Sequence, residues 1–153
     1  MDHDMSSDPN TIIDAHAHCD GPCGVYDPAS ARIAGEAVQS MTKKMLDLAS
    51  SDANCSSAAY INTMSRYAAI KEEEAQICKD ELLVLWTDFF KPQHLESIPD
   101  LHDIFWNAAK LCSACKVEVS DEHAQELMDA IENIHNLFWN VKGRNEISWI
   151  RAS

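Results

Sequence analysis

The sequence predicts an all-α protein, an up-and-down four-helix bundle in a single domain. Three observations carry that expectation. Only four glycines and five prolines punctuate 153 residues. Runs of Val, Ile and Thr of the kind that build strands are scarce. Four segments repeat apolar residues alternately three and four apart, which is the period of an amphipathic helix. Short connections between four such helices make sequence neighbours antiparallel neighbours. A chain of this length with 46% apolar residues suits one core.

The first helix is expected to start with Asp27 as N-cap and Pro28 in the first helical position. Its stripe is Ala34, Val38, Met41, Met45 and Leu48. Residues 49–57, rich in Ser, Asp and Asn, read as a loop. The second helix is long, with Ile61, Met64, Ala68, Ala75, Cys78, Leu82, Leu85 and Phe89 on its seam. Lys71 is the one charged seam position, and Lys71-Glu72-Glu73-Glu74 reads as a solvated stretch. The helix must end before Lys91-Pro92, because a residue preceding proline avoids the α region. Leu101, Ile104, Ala108, Leu111 and Cys115 mark the third helix. Ala124, Leu127, Ile131, Ile134, Phe138 and Val141 mark the fourth, which opens after Ser120 with Asp121-Glu122 and stops at Gly143. The bundle therefore covers 27–142, and 143–153 is left as a C-terminal tail.

Net charge narrows the function. At −13, the chain lacks the clustered Lys and Arg that nucleic acid requires, and it disfavours an anionic membrane surface. No stretch reaches the ~18 apolar residues that span a bilayer. An anionic substrate would have to be drawn in by a local cationic patch, acting over about 8 Å at physiological salt. The six cysteines are expected to be reduced, since no secretory signal is visible and the chain is not loop-rich. A cytoplasmic location follows from the same observation.

Residues 18–26, His-Cys-Asp-Gly-Pro-Cys-Gly-Val-Tyr, hold the chemistry. An imidazole, two thiols and a phenol stand within nine residues. The cysteines are four apart across a Gly-Pro turn, so both sulfurs can point at one spot. Thiolates with imidazole suit a late transition metal, not calcium or magnesium. The expectation is an N-terminal metal-binding hook with His18, Cys19 and Cys23 as ligands.

This string resembles the signature His-Cys-x-x-Pro-Cys-Gly-x-Tyr of the nickel-containing superoxide dismutases, at His18, Cys19, Pro22, Cys23, Gly24 and Tyr26. The likeness continues through Leu85-Trp86-Thr87-Asp88-Phe89-Phe90-Lys91-Pro92, His94, Pro99-Asp100-Leu101-His102 and Ile134-His135-Asn136-Leu137-Phe138-Trp139, covering roughly residues 17–142. It implies a four-helix bundle assembled as a homohexamer, with one nickel ion per subunit. It also implies disproportionation of superoxide to dioxygen and hydrogen peroxide by Ni(II)/Ni(III) cycling. Nickel would be held by the His18 amine, the Cys19 amide nitrogen and the two sulfurs, with the His18 imidazole added in the oxidised state. The likeness makes Tyr26 a gatekeeper phenol, Asp20 a hook-packing residue and Lys91 a lysine pairing near the hook.

The family is made with a leader that a protease removes just before the ligand His. Residues 1–17 fit that role, with four aspartates, no Lys or Arg, and Ala15-His16-Ala17 at the junction. Cleavage would turn the His18 nitrogen into a free amine, so the precursor is expected to be inactive.

The chain departs from better-known relatives at several points. They carry Leu at Gly21, Glu at Ala34 and Arg at Glu74; the last two orient the axial imidazole, a task that would pass here to Glu74. Phe89 stands where they have a second phenol. Cys112 and Cys115 read as core residues, as does Cys78 on its seam. The remaining histidines read as surface or packing residues, and Trp86, Trp106, Phe138 and Trp139 as core or subunit contacts. The main alternative is a structural zinc-binding helical bundle without redox activity, holding Zn(II) through His18, Cys19 and Cys23 with Cys112 or Cys115.

Overall fold

A computed structural model of the chain describes residues 23–152. Leader 1–17 and the hook positions His18, Cys19, Asp20, Gly21 and Pro22 lie outside the described residues. Four helices form the body: α1 (Ala29–Ala49), α2 (Ala58–Val84), α3 (Leu101–Val117) and α4 (Asp121–Val141). Each packs on its neighbours in sequence, and α4 closes back on α1. The result is the expected up-and-down bundle.

Helix α1 begins one residue later than the cap pattern predicts. The first helical bond runs from the Arg32 amide to the Pro28 carbonyl (3.1 Å), so Pro28 flanks the helix instead of occupying its first position. Asp27 still acts on the terminus, its carboxylate accepting from the Ala29 amide at 2.9 Å. Ser120 caps α4 as expected, accepting from the His123 amide at 3.1 Å; Ser57, read from sequence only as the end of a loop, caps α2 in the same way, accepting from the Tyr60 amide at 3.1 Å. Helix α4 stops at Gly143.

The core is built from Val38, Leu82, Phe105, Leu127, Ile131 and Phe138, all fully buried. Burying each such side chain stabilises the fold by about 1.5–3 kcal/mol. Gly35 sets the approach of α1 to α4. A Cβ there would lie 2.6 Å from Ile131 Cδ1 and 3.0 Å from Met128 Sδ, closer than atoms pack. Only glycine fits without a shift.

Helix α2 departs from its predicted seam. Ala75, Cys78, Leu82 and Leu85 are buried, but Ile61 is 56% exposed. Length explains this: 27 residues of α2 rise about 40 Å, whereas the 17 of α3 rise about 25 Å. Helix α3 runs out opposite Lys71, and the upstream part of α2 has only α1 beside it. Lys71, read from sequence as solvated, is only 3% exposed. Its ammonium donates to the carbonyls of Cys115, Lys116 (2.9 Å) and Glu118 (3.0 Å), which α3 leaves unpaired at its C-terminus. Burial pulls the Lys71 pKa down, and the negative charges that Cys115 and Glu72 can carry nearby partly oppose that pull.

The buried stripe of α3 is also rotated from the predicted one. Phe105 and Cys112 are buried, while Ile104 and Leu111 are half-buried. Trp106 faces solvent under the Lys110 ammonium, 4.6 Å from its ring centroid, so it is not a core residue.

The C-terminal segment docks along α1 and α4. Trp149 packs on the core, and His135 Nε2 donates to the Ile147 carbonyl at 3.2 Å. The buried Glu36 carboxylate accepts from the Ala152 amide (2.8 Å) and pairs with Arg32 (2.7 Å) and Arg151 (3.4 Å). A sequence read as a tail is thus a strap, held by one aromatic ring and a two-arginine clamp.

Candidate metal centre and its surroundings

Cys23 stands exposed at the start of the described chain. Gly24 follows with φ +65°, and nothing lies within 4 Å of where its Cβ would be. The requirement for glycine here is therefore backbone conformation alone, the left-handed region that other residues avoid. The turn sends the chain into Tyr26, which is half-buried with its ring centroid 5.8 Å from that of Phe89.

Phe89 owes its position to the end of α2. Residues Leu85–Phe89 widen into a π-turn, closed by the Phe90 amide on the Leu85 carbonyl at 3.0 Å. Such a turn adds one residue to the helical circuit and is frequent at functional sites. Phe89 is thereby set among Tyr26, Phe90 (4.9 Å), His94 (6.3 Å) and the buried Phe138 of α4 (4.3 Å). The Lys142 ammonium lies over both rings, 6.0 Å from Phe89 and 5.7 Å from Phe138. Tyr26 is thus backed by rings from two different helix ends.

Lys91 borders the same turn. Pro92 after it holds its backbone extended (φ −119°, ψ 161°), as predicted from the Lys-Pro pair. Its amide donates to His94 Nδ1 at 3.0 Å, and its exposed ammonium donates to the Asp88 carbonyl at 2.7 Å. Phe90 and Lys91 also line a recess of about 400 Å³ walled by Trp86, Pro92, Leu101 and His102. Among the described residues the structure therefore brings Tyr26 and Lys91 to one end of α2, beside the turn that carries Cys23.

Glu74 is not gathered into this group. It lies roughly 22 Å of helical rise before Phe89. It is half-buried and makes no hydrogen bond or ion pair among the described residues. Burial, with Glu73 beside it, raises its pKa. Ala34 is buried in the core. Lys142, Phe138 and His94 are surroundings that sequence reasoning missed, because they come from the end of α4 and the 92–96 turn, far from the hook in the chain.

The other thiols occupy a different environment. Cys78, Cys112 and Cys115 are fully or almost fully buried between α2 and α3. A hydrogen bond with Cys112, together with burial, pushes the Cys78 thiol pKa well up. Burial and the neighbouring Cys112 push Cys115 to about 11. Cys78 and Cys115 thus stay protonated at neutral pH and are not poised as ligands or nucleophiles. The structural-zinc alternative therefore loses its fourth ligand, since Cys112 and Cys115 are enclosed in the bundle while Cys23 is exposed. Among the described residues no group of three or more His, Cys, Asp or Glu is placed to hold a metal, and no helix is long and apolar enough to cross a membrane.

The donor set fits a nickel centre on its chemistry. Of the thiols in the string 18–26, Cys23 is solvent-exposed and next to a phenol, where a metal ion and a small anion can both reach it.

Comparison with known proteins gives a consistent picture. A family model described as nickel-containing superoxide dismutase matches residues 13–142. The superoxide dismutase [Ni] of Streptomyces seoulensis is 41% identical over 117 residues, covering 76% of this chain and 82% of that protein. The corresponding protein of Streptomyces coelicolor is 38% identical over the same length and coverage. A native nickel superoxide dismutase structure at 1.30 Å superposes with a TM-score of 0.71 at 39% identity, covering 82% of this chain and 99% of the other. A crystal structure whose nickel ligation corresponds to the oxidised state gives 0.72 at 41% identity with the same coverage.

Proposed function

Because the chain belongs to the nickel-containing superoxide dismutase family, we propose that its nickel is held by His18, Cys19 and Cys23 after a protease removes residues 1–17. Nickel bound there supplies one-electron Ni(II)/Ni(III) cycling, by which one superoxide is oxidised to dioxygen and a second, with two protons, is reduced to hydrogen peroxide. The single observation that carries this reading is the contrast in thiol placement. Cys23 is exposed beside Tyr26, while Cys78, Cys112 and Cys115 are enclosed.

The residues around the hook act on access and protons. Tyr26, backed by Phe89, narrows the approach to the hook to small molecules, and its hydroxyl orders water at the mouth. Asp20 packs the hook, and Lys91 adds positive charge beside the Phe89–Phe90 turn. Removal of the leader converts the His18 nitrogen from an amide to an amine, a stronger donor that the precursor lacks. One nickel per subunit, assembly as a homohexamer and a cytoplasmic location complete the proposal, supported by the family likeness.

The decisive experiment compares superoxide dismutation by the nickel-treated full chain and by the chain beginning at His18. The cleaved form is expected to be active and the full chain inactive. Equal activity in both would remove the role assigned to the amine. Binding of zinc without dismutation in either form would replace the redox reading with a structural one.

A further inference from the structure

A substrate that is an anion meets a protein of net charge −13, so the potential at the mouth depends on which cations stand there unneutralised. Three basic residues border Phe89 or the rings Phe138 and Trp139 that continue from it. Lys91 is exposed and, among the described residues, without an ion pair; it keeps its charge, with the ammonium held on the Asp88 carbonyl at the end of α2. Arg144, stacked over Trp139 at 5.6 Å, is paired with Glu146 at 2.9 Å. Lys142 differs in standing against the rings that back Tyr26. It is exposed, and among the described residues it forms no ion pair. Its ammonium rests over the faces of Phe89 and Phe138, the ring pair that backs Tyr26.

Its place in the chain adds a second argument. The Lys142 amide closes the last turn of α4 on the Phe138 carbonyl at 3.1 Å. The C-terminus of a helix carries partial negative charge, about half an elementary unit. Without a cation, that end would repel an incoming anion at the point where Phe138 supports Phe89. A ring face holds an ammonium without neutralising its charge. The lysine is therefore fixed in position and still available to the field.

We propose that Lys142 supplies the local positive potential that steers superoxide to the Tyr26 side of the hook. The inference rests on the dismutase reading for its substrate, but not for its electrostatics. A field at the mouth is measurable without nickel or turnover. Steering of this kind acts on association and fades with ionic strength, because the Debye length falls from about 30 Å at 0.01 M salt to about 3 Å at 1 M.

The test has two arms, each run on the parent, Lys142→Met, Lys142→Arg and Lys110→Met. The last variant removes the same charge from α3, where the lysine covers Trp106. In the first arm, the nickel-free full chain is alkylated with anionic iodoacetate and with neutral iodoacetamide, and the rate at Cys23 is read by peptide mass spectrometry. The ratio of the two rates cancels the thiolate fraction and reports the potential. In the second arm, kcat/KM for superoxide is measured on the nickel-loaded chain beginning at His18.

Lys142→Met is expected to lower both the rate ratio and kcat/KM about threefold at 10 mM salt, with the difference gone near 0.5 M. Lys142→Arg should restore both, and Lys110→Met should move neither by comparable amounts. An unchanged alkylation ratio, a loss that ignores salt, or failure of the arginine variant to restore the ratio would overturn the proposal. If the ratio falls as expected but no form dismutates superoxide, the field stands and the dismutase reading fails.

Discussion

Cys23 and the trio Cys78, Cys112 and Cys115 are one side chain in two settings. Cys23 lies in an irregular segment, exposed, next to a left-handed glycine and a phenol. The trio lies where α2 meets α3, away from water, with Cys78 and Cys115 carrying raised pKa values. Water decides the difference. A thiolate needs solvation, a cation or a metal; a thiol buried between two helices loses its solvation, and even the Lys71 ammonium near Cys115 does not offset that loss, so the group behaves as a small apolar one. The fold thus sorts its sulfur into a reactive position at one end and inert packing in the middle.

The largest expected effect strikes the exposed member. Cys23→Ser should reduce dismutation by the nickel-treated chain beginning at His18 to background, while the urea midpoint stays within about 0.5 kcal/mol of the parent. A large loss of stability would mean that Cys23 belongs structurally with the buried trio. Next comes chemical access. In the native nickel-free chain, iodoacetamide should label Cys23 and Cys55 within minutes, whereas the trio should react only after denaturation. Labelling of Cys112 at a native rate would break the division between the two settings.

Two changes probe the packing around the inert layer. Ending the chain after Lys142 removes the Trp149 contact and strips Glu36 of Arg151 and the Ala152 amide. The expected cost is about 3 kcal/mol, from lost apolar burial and a buried carboxylate deprived of Arg151 and the Ala152 amide. Guanidinium unfolding measures it, and a change under about 1 kcal/mol would mean that the strap is merely laid on the surface. Lys71→Met should cost about 2 kcal/mol, because three carbonyls at the end of α3 lose their donor. A neutral result would show that water takes over their hydrogen bonds.

The smallest effect concerns Glu74. Its folded pKa is raised by burial, so the folded state holds the proton more tightly and stability falls as pH rises through that raised value. The penalty is present above the folded pKa and absent below the ordinary carboxylate value. Glu74→Gln should therefore gain a few tenths of a kcal/mol at pH 7 and nothing at pH 3, the gain kept small by solvent screening. A loss at pH 7 would instead indicate a charged partner for the carboxylate.

Much of the architecture was legible from local rules. The Ser120 cap, the stop at Gly143 and the break before Lys91-Pro92 each depend on a few adjacent residues, and each stands as read. The errors have a common origin. The position of Ile61, the burial of Lys71, the rotated stripe of α3 and the docking of the strap all depend on where one helix ends against another. Periodicity reports that a face is apolar, not how far its partner extends along it. For the site, the string 18–26 supplied the proposed ligands and Tyr26, because those residues are contiguous. The rings and the ammonium that back Tyr26 come from the end of α2, the 92–96 turn and the end of α4.

The sequence by itself determined the four helices and most of their end signals, and it put forward the string 18–26 as the proposed metal site, since each rests on backbone and side-chain chemistry within a few adjacent residues. The tertiary structure decided which thiols meet water, which lysines are buried, and which rings stand behind Tyr26. These follow from the relative lengths of α2 and α3 and the close approach at Gly35, where packing joins residues that the chain keeps far apart.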